Sequence, residues 1–356
     1  MDMPNTMPQT TTIEALEQKQ ELMAEKCVVN YSCYFGATDN NYKLFHELDE
    51  RHVCGIKLFL GASTGNMLVQ QRPSLIRIFT SAPILIAAHC ENPVMIEKNA
   101  RLVKQQMGNR PIPIFNHALI RSAEACYSSA EMAVEMAKLA HARLHLLHVS
   151  TGKELRLLQD LPIEQKLITA EACVGHLWFA QGDHRKLGTL IKVNPAIKNT
   201  THRDYLRKAV MEGRIDVIAT DHAPHLLADK EGDALTAASG MPMVQFSLPL
   251  MLQMVDKKHF TLETVVEKMC HAPARLFQVS ERGYLREGYR ADMVLVSHEG
   301  EHTVTREEVL SKCGWSPLEG TTLHWKVEKT WVNGQMVFDG QRVNDSVRGE
   351  ALEFER

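Results

Sequence analysis

An α/β fold with a parallel sheet, closing most simply as a (β/α)8 barrel, is predicted by three features of the sequence. Short runs rich in Val, Ile, Leu and Ala alternate with longer stretches of helical periodicity. Several of those runs are nearly continuous apolar segments, as strands covered on both faces must be. Polar or ionisable residues recur at or near their ends: Lys57 inside its run, then His89, His148, Glu171, Asn194 and Asp221.

The elements follow in order. Residues 11–26 read as a helix, with Thr11 and Glu14 spaced as a capping box. CVVNYSCYFG (27–36), VCGIKLFLG (53–61) and ILIAAH (84–89) read as strands. A helix comes next, with Asn92 as its cap, Pro93 in its first turn and Gly108 as its stop. Residues 122–142, rich in Ala, Met and Glu, read as another. RLHLLHVS (143–150), KLITAEA (166–172), TLIKVN (189–194) and DVIATD (216–221) bring the strand candidates to seven, and TLIKVN can equally line a site. Beyond residue 280, ADMVLVS and KTWVNGQMVF, the latter turning at Asn333-Gly334, read as strands of a small β domain. The expected division is a barrel over 1–280 and a C-terminal β segment over 281–356.

Composition narrows the function. The net charge of −3, with no block of Lys and Arg, argues against nucleic acid or a membrane surface as partner. No apolar stretch reaches the length of a membrane span. MDMPNTMPQTTT lacks the basic and apolar regions of a secretory signal. The 8 cysteines are scattered without C-x-x-C pairs, which fits a reduced, cytoplasmic protein. A small-molecule substrate is expected, with homo-oligomerisation left open.

In a (β/α)8 barrel the active site is assembled at the C-terminal strand ends. One strand-end histidine is more often a hydrogen-bonded structural residue than a ligand. Lys57 could snorkel, and Asp221 could cap a helix. Six such residues in one alternating pattern favour a shared centre, and imidazoles with a carboxylate suit zinc or a similar ion.

GIKLFLGASTGNMLV, AAHCEN, LHLLHVSTGKEL, IKVNPAIK and IATDHAPHLLADKEG, with DMPNT at the start and LREGYRADMVLV and WVNGQMVF near the end, resemble the dihydroorotases, cyclic amidohydrolases of the amidohydrolase superfamily. The resemblance implies zinc-dependent, reversible hydrolysis of (S)-dihydroorotate to N-carbamoyl-L-aspartate in de novo pyrimidine (UMP) synthesis. It implies two zinc ions bridged by a carboxylated Lys57, with His89 and His148 on the second and Asp221 on the first. Asp221 would also be the catalytic base and acid, and Asn5, Asn194 and His225 would hold the substrate. Glu171 matches a family position near the metals and receives no role. In EACVGHLW (171–178), Val174 and Gly175 depart from the family and would alter the pocket wall.

The family's His-x-His pair, followed two residues later by an arginine, belongs upstream of DMPNT, and no such motif occurs in this chain. Seven strand candidates where eight are needed point the same way. The expectation is a barrel incomplete at its N-terminus, a remnant of a small β-sandwich domain, and impaired activity. Two alternatives stand beside it: another cyclic amidohydrolase (allantoinase or dihydropyrimidinase), or a non-catalytic dihydroorotase-like scaffold.

Overall fold

The computed structural model describes residues 1–61, 67–298 and 300–356. Residues 62–66, within the GASTGNMLV stretch, lie outside the described residues. Six parallel strands form one sheet in sequential order: β1 (Tyr34–Gly36), β2 (Gly55–Phe59), β3 (Ile86–His89), β4 (Leu144–Leu146), β5 (Ile168–Cys173) and β6 (Val217–Ala219). Parallel neighbours need crossovers, and helices supply most of them. The principal ones are α1 (Ile13–Lys26), α2 (Arg72–Ser81), α3 (Pro93–Met107), α4 (Ala123–Ala140) and α5 (Thr200–Met211). They are followed by α6 (Ser247–Asp256) and α7 (Ala272–Phe277).

Strand alternation sorts the side chains into two environments. Phe35, Ile56, Leu58, Ile86, Ala88, Leu144, Leu146, Ala170 and Ile218 face outward into the main core shared with the helices. Their neighbours Tyr34, Ala87 and Val217 face inward, joined by Leu85, Leu147 and, from α7 and the C-terminus, Phe277 and Phe354. The register pairs Lys57 with Ala87 and Phe59 with His89, so Lys57 shares the inner face. The inner wall is therefore apolar at its base and ionisable towards the C-terminal strand ends.

Several sequence expectations need correction. The N-cap of α1 is Thr12, whose side chain accepts from Ala15 N at 3.2 Å. Thr11 is displaced from that role because Asn41 Nδ2 donates to its carbonyl at 3.0 Å. The strand expected over 27–36 shrinks to Tyr34–Gly36. Upstream of it, Asn30 is drawn off by Asp292 and Asn333, its Nδ2 donating to Asp292 Oδ2 at 3.0 Å. TLIKVN is a 3-10 turn (Gly188–Ile191) followed by extended chain, not a strand. The sheet has no slot for it, since β5 pairs directly with β6 through Glu171 and Val217. The backbone at Lys192 turns instead to the 230–240 loop, where Gly240 N donates to Lys192 O at 2.8 Å. The strands of the main sheet thus number six rather than seven, and no pairing joins β6 to β1 among the described residues. Asp2 runs parallel to β1, its N–H donating to Ser32 O at 2.9 Å and its carbonyl accepting from Tyr34 N at 3.0 Å.

The C-terminal part holds a three-stranded antiparallel sheet of β7 (Met293–Ser297), β10 (Lys326–Val332) and β11 (Gln335–Phe338). A ribbon of β8 (His302–Thr303) and β9 (Thr322–Leu323) lies beside it in sequence. Asn333 and Gly334 turn β10 into β11 with φ of 51° and 79°, the left-handed pair that a primed hairpin turn requires. The last residues return to the base of the barrel, where Arg356 donates to the carbonyls of Val53 and Cys54 at 2.8 Å. No helix among the described residues is long and apolar enough to cross a membrane.

Candidate active site

Parallel strands put all their C-terminal ends on one rim. His89 is the last residue of β3, His148 follows β4 by two residues, and Asp221 follows β6 by two. His148 and Asp221 both adopt left-handed backbone, with φ of 40° and 46°. For residues with a Cβ this conformation is strained, and such strain tends to collect at functional sites. Periodicity in the sequence carries no sign of it.

His89 Nδ1 and His148 Nε2 face each other at 3.0 Å, with ring centroids 4.7 Å apart. Burial keeps both imidazoles neutral by lowering their pKa values. His89 Nε2 donates to Glu91 Oε2 at 3.0 Å, and Glu91 is in turn paired with Arg121. Burial alone would raise the Glu91 carboxyl, but the Arg121 guanidinium and the His89 contact overcome it and hold it down at about 2. Glu91 thus stays ionised and fixes the His89 ring so that Nδ1 points at His148.

Lys57 is buried, with its ammonium 4.3 Å from the centre of the Phe59 ring. Burial lowers its pKa to about 8 against the opposing pull of Asp221 and Glu171. Asp221 is exposed at the rim, yet the protein crowded around it, with Glu171 adding to the effect, pushes its carboxyl up to about 6; Lys57 opposes. Glu171 accepts from the backbone N–H of His148 at 3.1 Å and contacts His145 Nε2 at 3.2 Å. It therefore supports the strained turn that carries His148.

The substrate-binding candidates are less tightly gathered. Asn194 Oδ1 is buried without a hydrogen-bond partner. It sits between two carbonyls held by imidazoles: His117 Nε2 contacts Val193 O at 3.0 Å and His176 Nε2 contacts Pro195 O at 2.9 Å. Burial drives these two histidines down to about 3 and about 4, so both are neutral donors. His225 Nε2 contacts Ser239 O at 3.2 Å. The loop behind it is tied by Lys230 Nζ to the carbonyls of Lys192, Ala238 and Gly240. No hydrogen bond or ring contact joins His225 to the histidine pair among the described residues. Asn5 is exposed, one residue beyond Pro4, whose side chain lies against Gly36 at the end of β1. His222, in the same DHAPH stretch, accepts from Met243 N at 3.1 Å and so braces a loop.

Reasoning from the sequence missed Glu91, Arg121, His117 and His176. Glu91 had a usable signal, since it lies two residues after His89 and so shares its face. Arg121 had none, being 30 residues further along the chain from Glu91.

Two neutral imidazole nitrogens converging at 3.0 Å, one braced by a carboxylate through its far nitrogen, match the donor set of a divalent cation. Ligands about 2.0–2.1 Å from a tetrahedral ion lie roughly 3.3 Å apart, so little movement is needed.

A parallel barrel with such a cluster on its C-terminal rim is the layout of a barrel hydrolase. The chain belongs to the amidohydrolase family, whose model matches residues 88–337. A dihydroorotase of Pyrococcus furiosus is 30% identical over 351 residues, covering 99% of this chain and 75% of that protein. One from Halobacterium salinarum is 30% identical over 350 residues, covering 97% and 78%. The L-hydantoinase (dihydropyrimidinase) of Arthrobacter aurescens superposes with a TM-score of 0.90 at 26% identity, covering 96% of this chain and 77% of that one. The chain is a dihydroorotase-like hydrolase of cyclic amides.

Proposed function

We propose that this chain carries the catalytic centre of a dihydroorotase, interconverting dihydroorotate and carbamoyl aspartate in pyrimidine synthesis. The observation that carries the reading is the convergence of His89 Nδ1 and His148 Nε2 beside Lys57 and Asp221 on one rim. The family resemblance extends this donor set to two zinc ions. His89 and His148 would hold one, Lys57 as its carbamate would be shared, and Asp221 would reach the other. Bound there, zinc supplies Lewis-acid polarisation of the ring carbonyl and a more acidic water.

The chain's own groups do the rest. With its pKa at about 8, Lys57 presents the free amine in roughly a tenth of molecules at neutral pH. That amine can add to carbon dioxide, forming an N–C bond and releasing one proton. Asp221 takes a proton from the attacking water and returns it to the departing ring nitrogen. Asn194, framed by His117 and His176, offers Oδ1 to a ring N–H. Asn5 and His225 complete the hold on the substrate. Within these 356 residues the first metal position has Lys57 and Asp221, below the three protein ligands usual at catalytic zinc. Turnover by this chain is therefore expected to be feeble.

The test is ring opening by the 356-residue chain with zinc and bicarbonate, on dihydroorotate, dihydrouracil and allantoin side by side. Calorimetry with carbamoyl aspartate and with carbamoyl-β-alanine, the dihydrouracil product that lacks the second carboxylate, accompanies it. Preference for the dihydroorotate pair in rate or affinity supports the reading. Faster turnover of dihydrouracil or allantoin, or equal binding of both products, overturns it.

A further inference from the structure

Three side chains outside the rim cluster meet at the small sheet. Asp256 ends α6, His298 follows β7, and His324 lies between β9 and β10. One ligand atom from each falls within a set spanning no more than 4.8 Å. His298 Nε2 lies 3.3 Å from Asp256 Oδ2, and its ring centroid is 6.2 Å from that of His324.

The surroundings hold these donors in place. Trp325 Nε1 donates to Asp256 Oδ2 at 3.0 Å, and its ring packs on His298 with centroids 4.7 Å apart. Gln253, buried one turn earlier on α6, accepts from the backbone N–H of His324 at 2.9 Å. Two residues of one helix thus pin both segments of the small sheet. Asp256 Oδ1 and both ring nitrogens of His324 have no hydrogen-bond partner among the described residues. Asp256 and His324 thus keep free lone pairs, while His298 Nε2 donates to the carboxylate and would give up that proton to bind an ion.

We propose that Asp256, His298 and His324 form a second divalent-metal site, of zinc type, separate from the catalytic cluster. Two imidazoles and one carboxylate with open positions for water are a known zinc donor set, and soft-cation or calcium chemistry would need other ligands. Drawing the three donors onto one ion closes the 4.8 Å spread to roughly 3.3 Å, within reach of small side-chain rotations. The ion links α6, whose Leu250, Met251 and Met254 are buried in the main core, to the strands of the small sheet. Binding only the folded form, it raises stability as its concentration rises.

Zinc titration of the metal-free 356-residue chain, by calorimetry and by competition with a chromophoric chelator, tests this beside His298→Ala/His324→Ala and His89→Ala/His148→Ala. The expected result is that each double variant loses a different class of site. The surface variant should also lose an upward shift in Tm with micromolar zinc that the His89/His148 variant retains. Asp256→Asn, which keeps an acceptor for Trp325, should weaken the site at least tenfold while leaving the metal-free Tm near that of the parent. Cobalt(II) gives a second readout, as the visible absorption of the surface site should persist in the His89/His148 variant. The proposal is overturned if the surface variant binds zinc as the parent does, or if the affinity assigned to these residues is only millimolar. Because no hydrogen bond, ion pair or ring contact joins these three residues to His89, His148, Lys57 or Asp221 among the described residues, failure here leaves the dihydroorotase reading standing, and failure of that reading leaves this one.

Discussion

Replacing Glu91 by glutamine separates two jobs that one carboxylate performs. Glu91 is fully buried, and its Oε2 serves both His89 Nε2 and Arg121. Arg121 is itself only 12% exposed in its side chain, so removing its counter-ion outright leaves a largely buried charge. For Glu91→Ala that costs about 3–5 kcal/mol. Glu91→Gln keeps an amide oxygen for the guanidinium and loses the difference between a charged and a neutral hydrogen bond, about 1–2 kcal/mol. The other job is to aim His89. Loss of a carboxylate behind a ligating histidine lowers metal affinity ~10–100-fold, equivalent to about 1.4–2.7 kcal/mol. Glu91→Gln is therefore expected to fold with a Tm lower by a few degrees and to bind zinc at the barrel rim at least tenfold more weakly. Thermal unfolding by circular dichroism and chelator competition in the His298→Ala/His324→Ala background measure the two effects separately. If Glu91→Gln lowers Tm but binds zinc with the parent affinity, Glu91 is only a counter-ion for Arg121 and the orienting role is wrong.

Further substitutions probe other parts of the same argument. Asp221→Asn should lower any dihydroorotate turnover by ~100-fold or more, through loss of the proton carrier, and steady-state rates at saturating zinc will show it. Gly61→Ala places a Cβ 2.8 Å from the Glu91 carbonyl and 3.0 Å from His89 Cδ2; it should cost ~1–3 kcal/mol in urea unfolding and weaken zinc binding alongside. Asp216→Ala breaks a buried pair with Lys166 at 2.7 Å and removes the acceptor for Ala170 N, a loss of ~3–5 kcal/mol that Lys166→Met should partly restore. Glu154 is buried, which raises its carboxyl from 4.5 to about 7. The folded state then holds its proton more tightly than the unfolded chain, so this residue lowers stability as pH rises from about 4.5 to about 7. Glu154→Gln should flatten that slope in unfolding curves recorded across the window, and an unchanged slope would refute the assignment.

The layering of this protein and most of the residues on its rim were legible in the order of its residues. Apolar runs alternating with helices favour strands of a covered parallel sheet, and parallel strands deliver whatever ends them to one side. That is why His89, His148 and Asp221 could be placed together from sequence order, and why Lys57, on the inner face of its strand, joins them. The roles proposed for them rest on the family resemblance, since periodicity does not encode them. Tertiary structure decided what depends on partners distant in the chain. TLIKVN has strand composition, but β5 and β6 pair directly and leave it no neighbour, so it turns to Lys230 and Gly240. Arg121 reaches Glu91 from another element, and His117 and His176 reach the carbonyls either side of Asn194 across 76 and 19 residues. The left-handed turns at His148 and Asp221 persist because surrounding contacts, such as Glu171 on the His148 N–H, hold them there. A local pattern records which face a residue shows; only the closed fold brings together the buried donors and acceptors that must satisfy one another.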